Sequence, residues 1–196
     1  MELICLEAPA IEPVTVAELL AQARIDGAEE NELLGRLIST ARAHVESLTQ
    51  RSLLRQRWSL QIDGFPVCGL LRLPRAPVVA IQSVKYLDFA GAEQTLSGTA
   101  YRLVGGLGMM PKIVPAVGLQ WPKTADVIGA VTIEYQAGLL KPTDLPPAIR
   151  HAILMLAAHW FEHREAVIEA SGRGGLLPVP MAVDSLLSPH VVPWIA

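Results

Sequence analysis

The sequence predicts an α+β fold: a helical module made from both ends of the chain, a small antiparallel β module inserted into it, and a C-terminal arm. Three observations carry this. Apolar residues recur at steps of three and four over residues 14–50 and again from about 144 to 168; they alternate at steps of two between about 54 and 140; and the tail from 171 opens on glycines and is punctuated by prolines. Residues 13–53 and 141–170 therefore form a discontinuous helical module, 54–140 the inserted β module and 171–196 the arm.

The first helix is announced by "TVAE". Thr15 and Glu18 stand at capping-box spacing, each able to satisfy a free backbone N–H, with Val14 and Leu19 placed for a hydrophobic staple. After the turn "DGAEE", the second helix carries Leu33, Leu34, Leu37, Ile38, Ala41, Val45 and Leu48 as one stripe, with His44 beside it. "RWSLQIDG" then sets Trp58, Leu60 and Ile62 against Arg57, Ser59 and Gln61, and "AVTIEYQAG" sets Val131, Ile133 and Tyr135 against Thr132, Glu134 and Gln136. Between these lie "GLLRLPR", "VVAIQSVKYLD", "AYRLVGG" and "KIVPA", and "DFAGAEQ" (88–94) reads as a hairpin turn, giving five to seven short strands. The third helix has Asp144 as its expected cap, with Pro146 and Pro147 in a first turn that has no N–H bonds to lose. From Ile149 to Phe161 it is apolar almost all round, so it must be surrounded. In the arm, "SGRGG" is a hinge, "AVDSLL" a short turn of helix, and "SPHVVPWIA" an apolar end. Such an arm either reaches across a neighbour or folds back on its own domain.

Composition narrows the function. Of 196 residues, 51% are hydrophobic and 18% charged, which is greasy for a soluble monomer, yet no apolar run near a helix is long enough to cross a bilayer. Apolar surface buried against other chains, and no membrane, is the expectation. The N-terminus lacks the positive region of a secretory signal. Cys5 and Cys68 have no metal-like spacing and read as reduced thiols. A net charge of −3 offers no global field for nucleic acid.

One motif suggests chemistry. "HWFEH" spells H-x-x-E-H, with His159 and His163 one helical turn apart and Glu162 beside them, the ligand pair and base of a zinc hydrolase. A catalytic zinc needs a third protein ligand. Glu165 and Glu169 fall well round the helix from the pair, Asp184 reaches it only if the tail folds back, and His151 is two turns away, which leaves His44 or an acid of the second helix as an unsignalled third ligand. "GLGMM" and "GRGG" are no P-loop, and no G-x-S-x-G is present. The reading is no catalytic residue, no cofactor and no metal, with the zinc-dependent hydrolase kept as an alternative. Arg51, Arg55 and Arg57 in "RSLLRQR" form a candidate positive patch at the joint between helix and strand, facing phosphate or an acidic partner.

The ordered set of segments resembles the head–tail connector (adaptor) proteins of long-tailed bacteriophages and phage-like gene-transfer particles. It runs from "PVTVAELLAQARID" and "LLGRLISTARAHVESLTQRSLLRQRWSLQIDGFP" through "LRLPRAPVVAIQSVKYLDFAGAEQTL", "YRLV", "PKIVPAVGLQWP" and "VTIEYQAG" to "LPPAIRHAILMLAAHWFEHREAV" and "PMAVDSLLSP". The resemblance covers about residues 13–190; "SGRGG" and "VVPWIA" do not belong to its pattern. It implies a non-enzymatic subunit of a homo-oligomeric ring, usually of twelve copies, in the virion or phage-like particle, assembled in the host cytoplasm. Its partners would be the portal protein and a stopper or tail-completion protein, with DNA passing through the lumen without sequence recognition. Within it "HWFEHREAV" is the end of the last long helix. With the apolar third helix, the resemblance makes Ile153, Leu156, Ala157, Trp160, Phe161, Leu186, Leu187 and Trp194 candidate assembly-interface residues. A different virion ring, a stopper or tail terminator, is a further alternative; those are commonly dominated by β structure, whereas here three helices frame the strands.

Overall fold

The computed structural model describes residues 1–24, 30–108, 110–163 and 181–193. They form an α+β protein whose internal packing separates two units, one of residues 1–10 with 50–140 and one of residues 11–49 with 141–193 among those described.

The first unit is built on β-strands. Strands β1 (Glu2–Glu7), β2 (Gln56–Ile62), β3 (Leu71–Arg72), β4 (Val78–Leu87), β5 (Glu93–Thr95), β6 (Tyr101–Val104), β7 (Lys112–Pro115) and β8 (Val131–Ala137) form two antiparallel sheets, ordered β1-β2-β8-β4-β5 and β3-β7-β6. β8 alternates strictly between buried and half-buried positions, as its period-two sequence dictates. Its partner β2 lies in register with it, Trp58 opposite Tyr135 and Leu60 opposite Ile133. These side chains, with Val78, Val84, Ile113 and Val131, make the core of the unit. The polar atoms of the two large aromatic side chains there are satisfied: the Tyr135 hydroxyl donates to the Pro74 carbonyl at 3.1 Å and the Trp58 indole to Ser52 Oγ at 2.9 Å. Burial also pushes the Tyr135 hydroxyl far above the ordinary tyrosine pKa, so it remains a donor.

The hairpin stands where the sequence put it, and one strand, β1, lies beyond the expectation. β5 is the short return of the 88–94 hairpin, in which the Asp88 carboxylate accepts from the backbone N–H groups of Ala90 and Ala92, and Gly91 takes a positive φ of 78°. β1 is a solvated edge strand on β2, broken by an irregularity between Cys5 and Glu7.

The second unit is helical. α1 (Val16–Ala23) begins with the full capping box: Thr15 Oγ1 accepts from Glu18 N at 3.2 Å and Glu18 Oε2 from Thr15 N at 2.7 Å. These bonds, that to Thr15 N above all, hold the Glu18 carboxyl below the ordinary glutamate pKa, and its other oxygen pairs with Arg150. α2 (Asn31–Thr49) buries Leu34, Ile38, Ala41 and Val45. The buried face is rotated from the expected stripe: Leu48 is exposed, and Glu46 and Thr49 are buried in its stead. Arg42 makes this possible, reaching Glu46 at 3.0 Å and Glu12 at 2.8 Å. α3 (Pro147–Glu162) starts on Pro146 as N-cap with no side-chain cap bond; Asp144, the expected cap, instead ends a preceding 3-10 turn. α3 packs against α1, α2 and the short α4 (Met181–Leu187), which is why it is apolar on so many sides.

Two predictions follow from this packing. At Gly138, φ is +97° and an added Cβ would lie 2.0 Å from the Leu54 carbonyl oxygen, a backbone atom that cannot step aside. Gly138→Ala is therefore expected to cost at least about 4 kcal/mol or abolish folding, read by denaturant titration, and a loss below about 1 kcal/mol contradicts the close approach. Thr15→Ala should destabilise by about 1 kcal/mol. Because the Glu18 pKa is lowered on folding, its contribution is present above the ordinary glutamate range and lost as pH falls through the lowered value. The Thr15→Ala deficit should accordingly shrink in acid melts, and a deficit independent of pH would contradict the capping box.

Candidate functional site

Three places can be built up from the residues: the end of α3, the arginines of the β unit, and the loops at one end of its larger sheet.

The H-x-x-E-H pair closes α3. His163 is the C-cap; its backbone N–H and its ring Nδ1 both approach the His159 carbonyl at 3.0 Å. The two rings sit 4.6 Å apart and tilted by 36°. An imidazole donating to a last-turn carbonyl satisfies an acceptor that the helix leaves open. Glu162 is exposed, and among the described residues no group of three or more His, Cys, Asp or Glu is placed to hold a metal ion. Glu165 and Glu169 lie outside the described residues.

Around this end, Ile153, Leu156 and Ala157 are fully buried among the chain's own helices, and Leu187 on α4 is buried too. A neighbour could touch these four only by opening the core. Trp160, Phe161 and Leu186 are half-buried and retain surface; the Trp160 ring meets His44 edge-on at 5.8 Å. Trp194 lies outside the described residues.

The arginines do not form one open cationic patch. Arg57 lies between two acids, Glu7 at 2.7 Å and Glu134 at 4.0 Å. Arg55 donates to Gln136 Oε1 at 3.1 Å, and the half-buried Arg51 has its pKa lowered by desolvation. Nearby, Arg75 stacks over the Trp58 ring at 5.1 Å. Much of the positive charge in this region is thus compensated or engaged within the unit.

The third place was hidden in the sequence. Pairing of Ile62 with Val131, and of Val131 with Tyr86, brings the ends of β2 and β4 and the start of β8 together. Residues 63–70, 88–92 and 116–130 therefore share one end of the sheet. They enclose a groove of about 560 Å³ lined by Phe65, Val67, Cys68, Phe89, Leu119 and Trp121, among others. Its floor is an aromatic stack: Phe65 and Trp121 lie parallel, 3° apart in plane with centroids at 4.6 Å, and Tyr86 meets Phe65 edge-on at 6.1 Å. The Trp121 indole N–H donates to the Gly69 carbonyl at 3.0 Å, which locks the ring. Val67 and Phe89 line the groove at 106% and 73% exposure, and the 116–130 loop also carries Val117 at 86% and Ile128 at 94%. "DGFPVCG", "DFAGA" and "AVGLQWP" read as turn punctuation one by one; only the register shows that their apolar residues converge. Clustered apolar side chains in water mark an interaction surface.

No protein-family model matches the chain, and no curated protein matches it. Solved structures do. A chain from the neck of an empty GTA particle computed with C6 symmetry is 24% identical, with 100% of this chain and 98% of that one covered at a TM-score of 0.76. A chain from the virion of a native gene transfer agent (GTA) particle is 24% identical over the same shares, at 0.77. A chain from the neck of a native GTA particle computed with C12 symmetry is 23% identical, again over 100% and 98%, at 0.71. At these identities the likeness is one of fold, and it runs from one end of the chain to the other.

Proposed function

We propose that this chain is a non-enzymatic ring subunit in the neck of a virion or phage-like particle: the head–tail connector, or adaptor, seated between the portal and the stopper or tail. The carrying observation is the end-to-end correspondence of fold with chains from the neck and the virion of GTA particles, at TM-scores of 0.71 to 0.77. A ring of twelve copies fits the apolar side chains left in water, because each subunit in a ring covers flanks on two neighbours. The charge distribution fits a wall past which DNA slides without sequence recognition. A net charge of −3, with Arg57 held between acids, gives phosphates little to grip. Assembly would take place in the host cytoplasm.

On this reading the half-buried Trp160, Phe161 and Leu186, together with Trp194, carry contacts to a neighbour or to the portal, while Ile153, Leu156, Ala157 and Leu187 support them from beneath. Phe161→Lys should leave the circular dichroism spectrum intact and lower the assembled fraction at least about tenfold by mass photometry, as loss of a single interface anchor does. Leu156→Lys should instead unfold the helical unit. Undiminished assembly of Phe161→Lys would remove this face from the interface. A chain that stays monomeric both alone and with the portal encoded beside it would overturn the ring.

A further inference from the structure

We propose that His159 and His163 form an exchangeable site for one late first-row divalent ion, of the nickel(II) or copper(II) class, at the C-terminal end of α3. A hydrolytic zinc keeps three protein ligands, and among the described residues no third His, Cys, Asp or Glu joins this pair. A site that only binds needs less: two imidazole nitrogens that converge, with water in the remaining positions. The two rings lie 4.6 Å apart, centroid to centroid, and 36° apart in plane. With metal–nitrogen bonds of about 2.0–2.1 Å, two imidazoles at right angles on one ion have centroids roughly 4.5 Å apart, and two at the tetrahedral angle roughly 5.2 Å. The pair stands at the first spacing, the one that tetragonal copper(II) and nickel(II) take.

The hydrogen bonding fits the same reading. His163 Nδ1 lies 3.0 Å from the His159 carbonyl, an oxygen that can only accept, so Nδ1 carries the proton and the Nε2 lone pair is left for an ion. Ligating histidines are held in this way, the second nitrogen donating to a backbone carbonyl that fixes the tautomer and the ring orientation. The carbonyls that close α3 carry partial negative charge, which favours a cation at this end, and the exposed Glu162 adds a negative charge beside it. Both histidines are half-buried, so water and ion reach them. His151 is exposed on the same helix but lies about 12 Å back along its axis, too far to share the ion. The site needs one chain only and is independent of the ring.

The test is a calorimetric titration of nickel(II) into the untagged, metal-free full chain. One ion should bind per chain. His159→Ala and His163→Ala should each weaken binding about tenfold or more, as the loss of a metal-holding group does. His151→Ala, Cys5→Ser and Cys68→Ser should leave it unchanged. Circular dichroism checks that the variants fold, and a second measurement needs no variant: copper(II) bound to the unaltered chain should selectively broaden the amide resonances of Phe161, Glu162 and His163. No binding heat and no broadening would leave the two rings as a packing contact and overturn the site. Binding that survives both histidine variants, or broadening centred elsewhere, puts the ion on other groups and overturns it equally. Weakening by one variant alone leaves a single ligand and overturns the pair.

Discussion

The β unit depends on one close approach of backbone to backbone. The Leu54 carbonyl oxygen sits where a side chain at residue 138 would begin, and Leu139 N donates to Leu53 O at 3.1 Å beside it. A parallel bridge between Leu54 and Leu139 completes the clamp. The strand that opens the main part of the unit, β2, and the strand that closes it, β8, are thereby held in register from their shared end. The large core side chains Trp58, Leu60, Ile133 and Tyr135 can then interdigitate without slippage, since a one-residue slip would turn each of them to water. Because entry and exit are fixed at one end, the loops at the other are free of any role in connecting the units. That is the end where apolar residues gather in water.

The helical unit solves a different problem. α3 carries too much apolar surface for one neighbour, and it is packed by α1, α2 and α4. Its ion pairs lie where the helices leave gaps: Arg150 joins Glu18 and the Pro13 carbonyl, and Arg42 bridges Glu12 to the buried Glu46. Removing one partner of the Arg42 set would leave a charge in a poorly solvated place, so these residues also limit how the helices can repack. With the deepest apolar positions of α3 taken up inside, apolar surface is left to the side chains at the rim of the helix end.

How much of this could be read from the residues depended on whether the signal was local. The Thr15–Glu18 box, the alternation of β8 and the 88–94 hairpin are each contained in a few consecutive residues, and they stand as expected. β1 escaped because "ELICLE" offers four apolar residues flanked by acids, too short a run to declare a strand without its partner β2. The rotation of α2 escaped because burying Glu46 over Leu48 depends on Arg42 and on Glu12, thirty residues away in the chain. For the same reason an apolar third helix could not say which of its residues keep surface: Ile153 and Phe161 look alike in sequence, and only packing separates the buried from the half-buried. The groove was least accessible, since Val67, Phe89 and Leu119 come from three loops that only strand register brings together.

The central claim is a ring with a passage through it. Electron microscopy of the chain mixed with a portal protein from the same genome, averaged end-on, tests it most directly. The account predicts a closed ring of twelve subunits around an open channel, with the β units resolved as repeated lobes. Single copies scattered on the portal, or a compact oligomer with no channel, would contradict it.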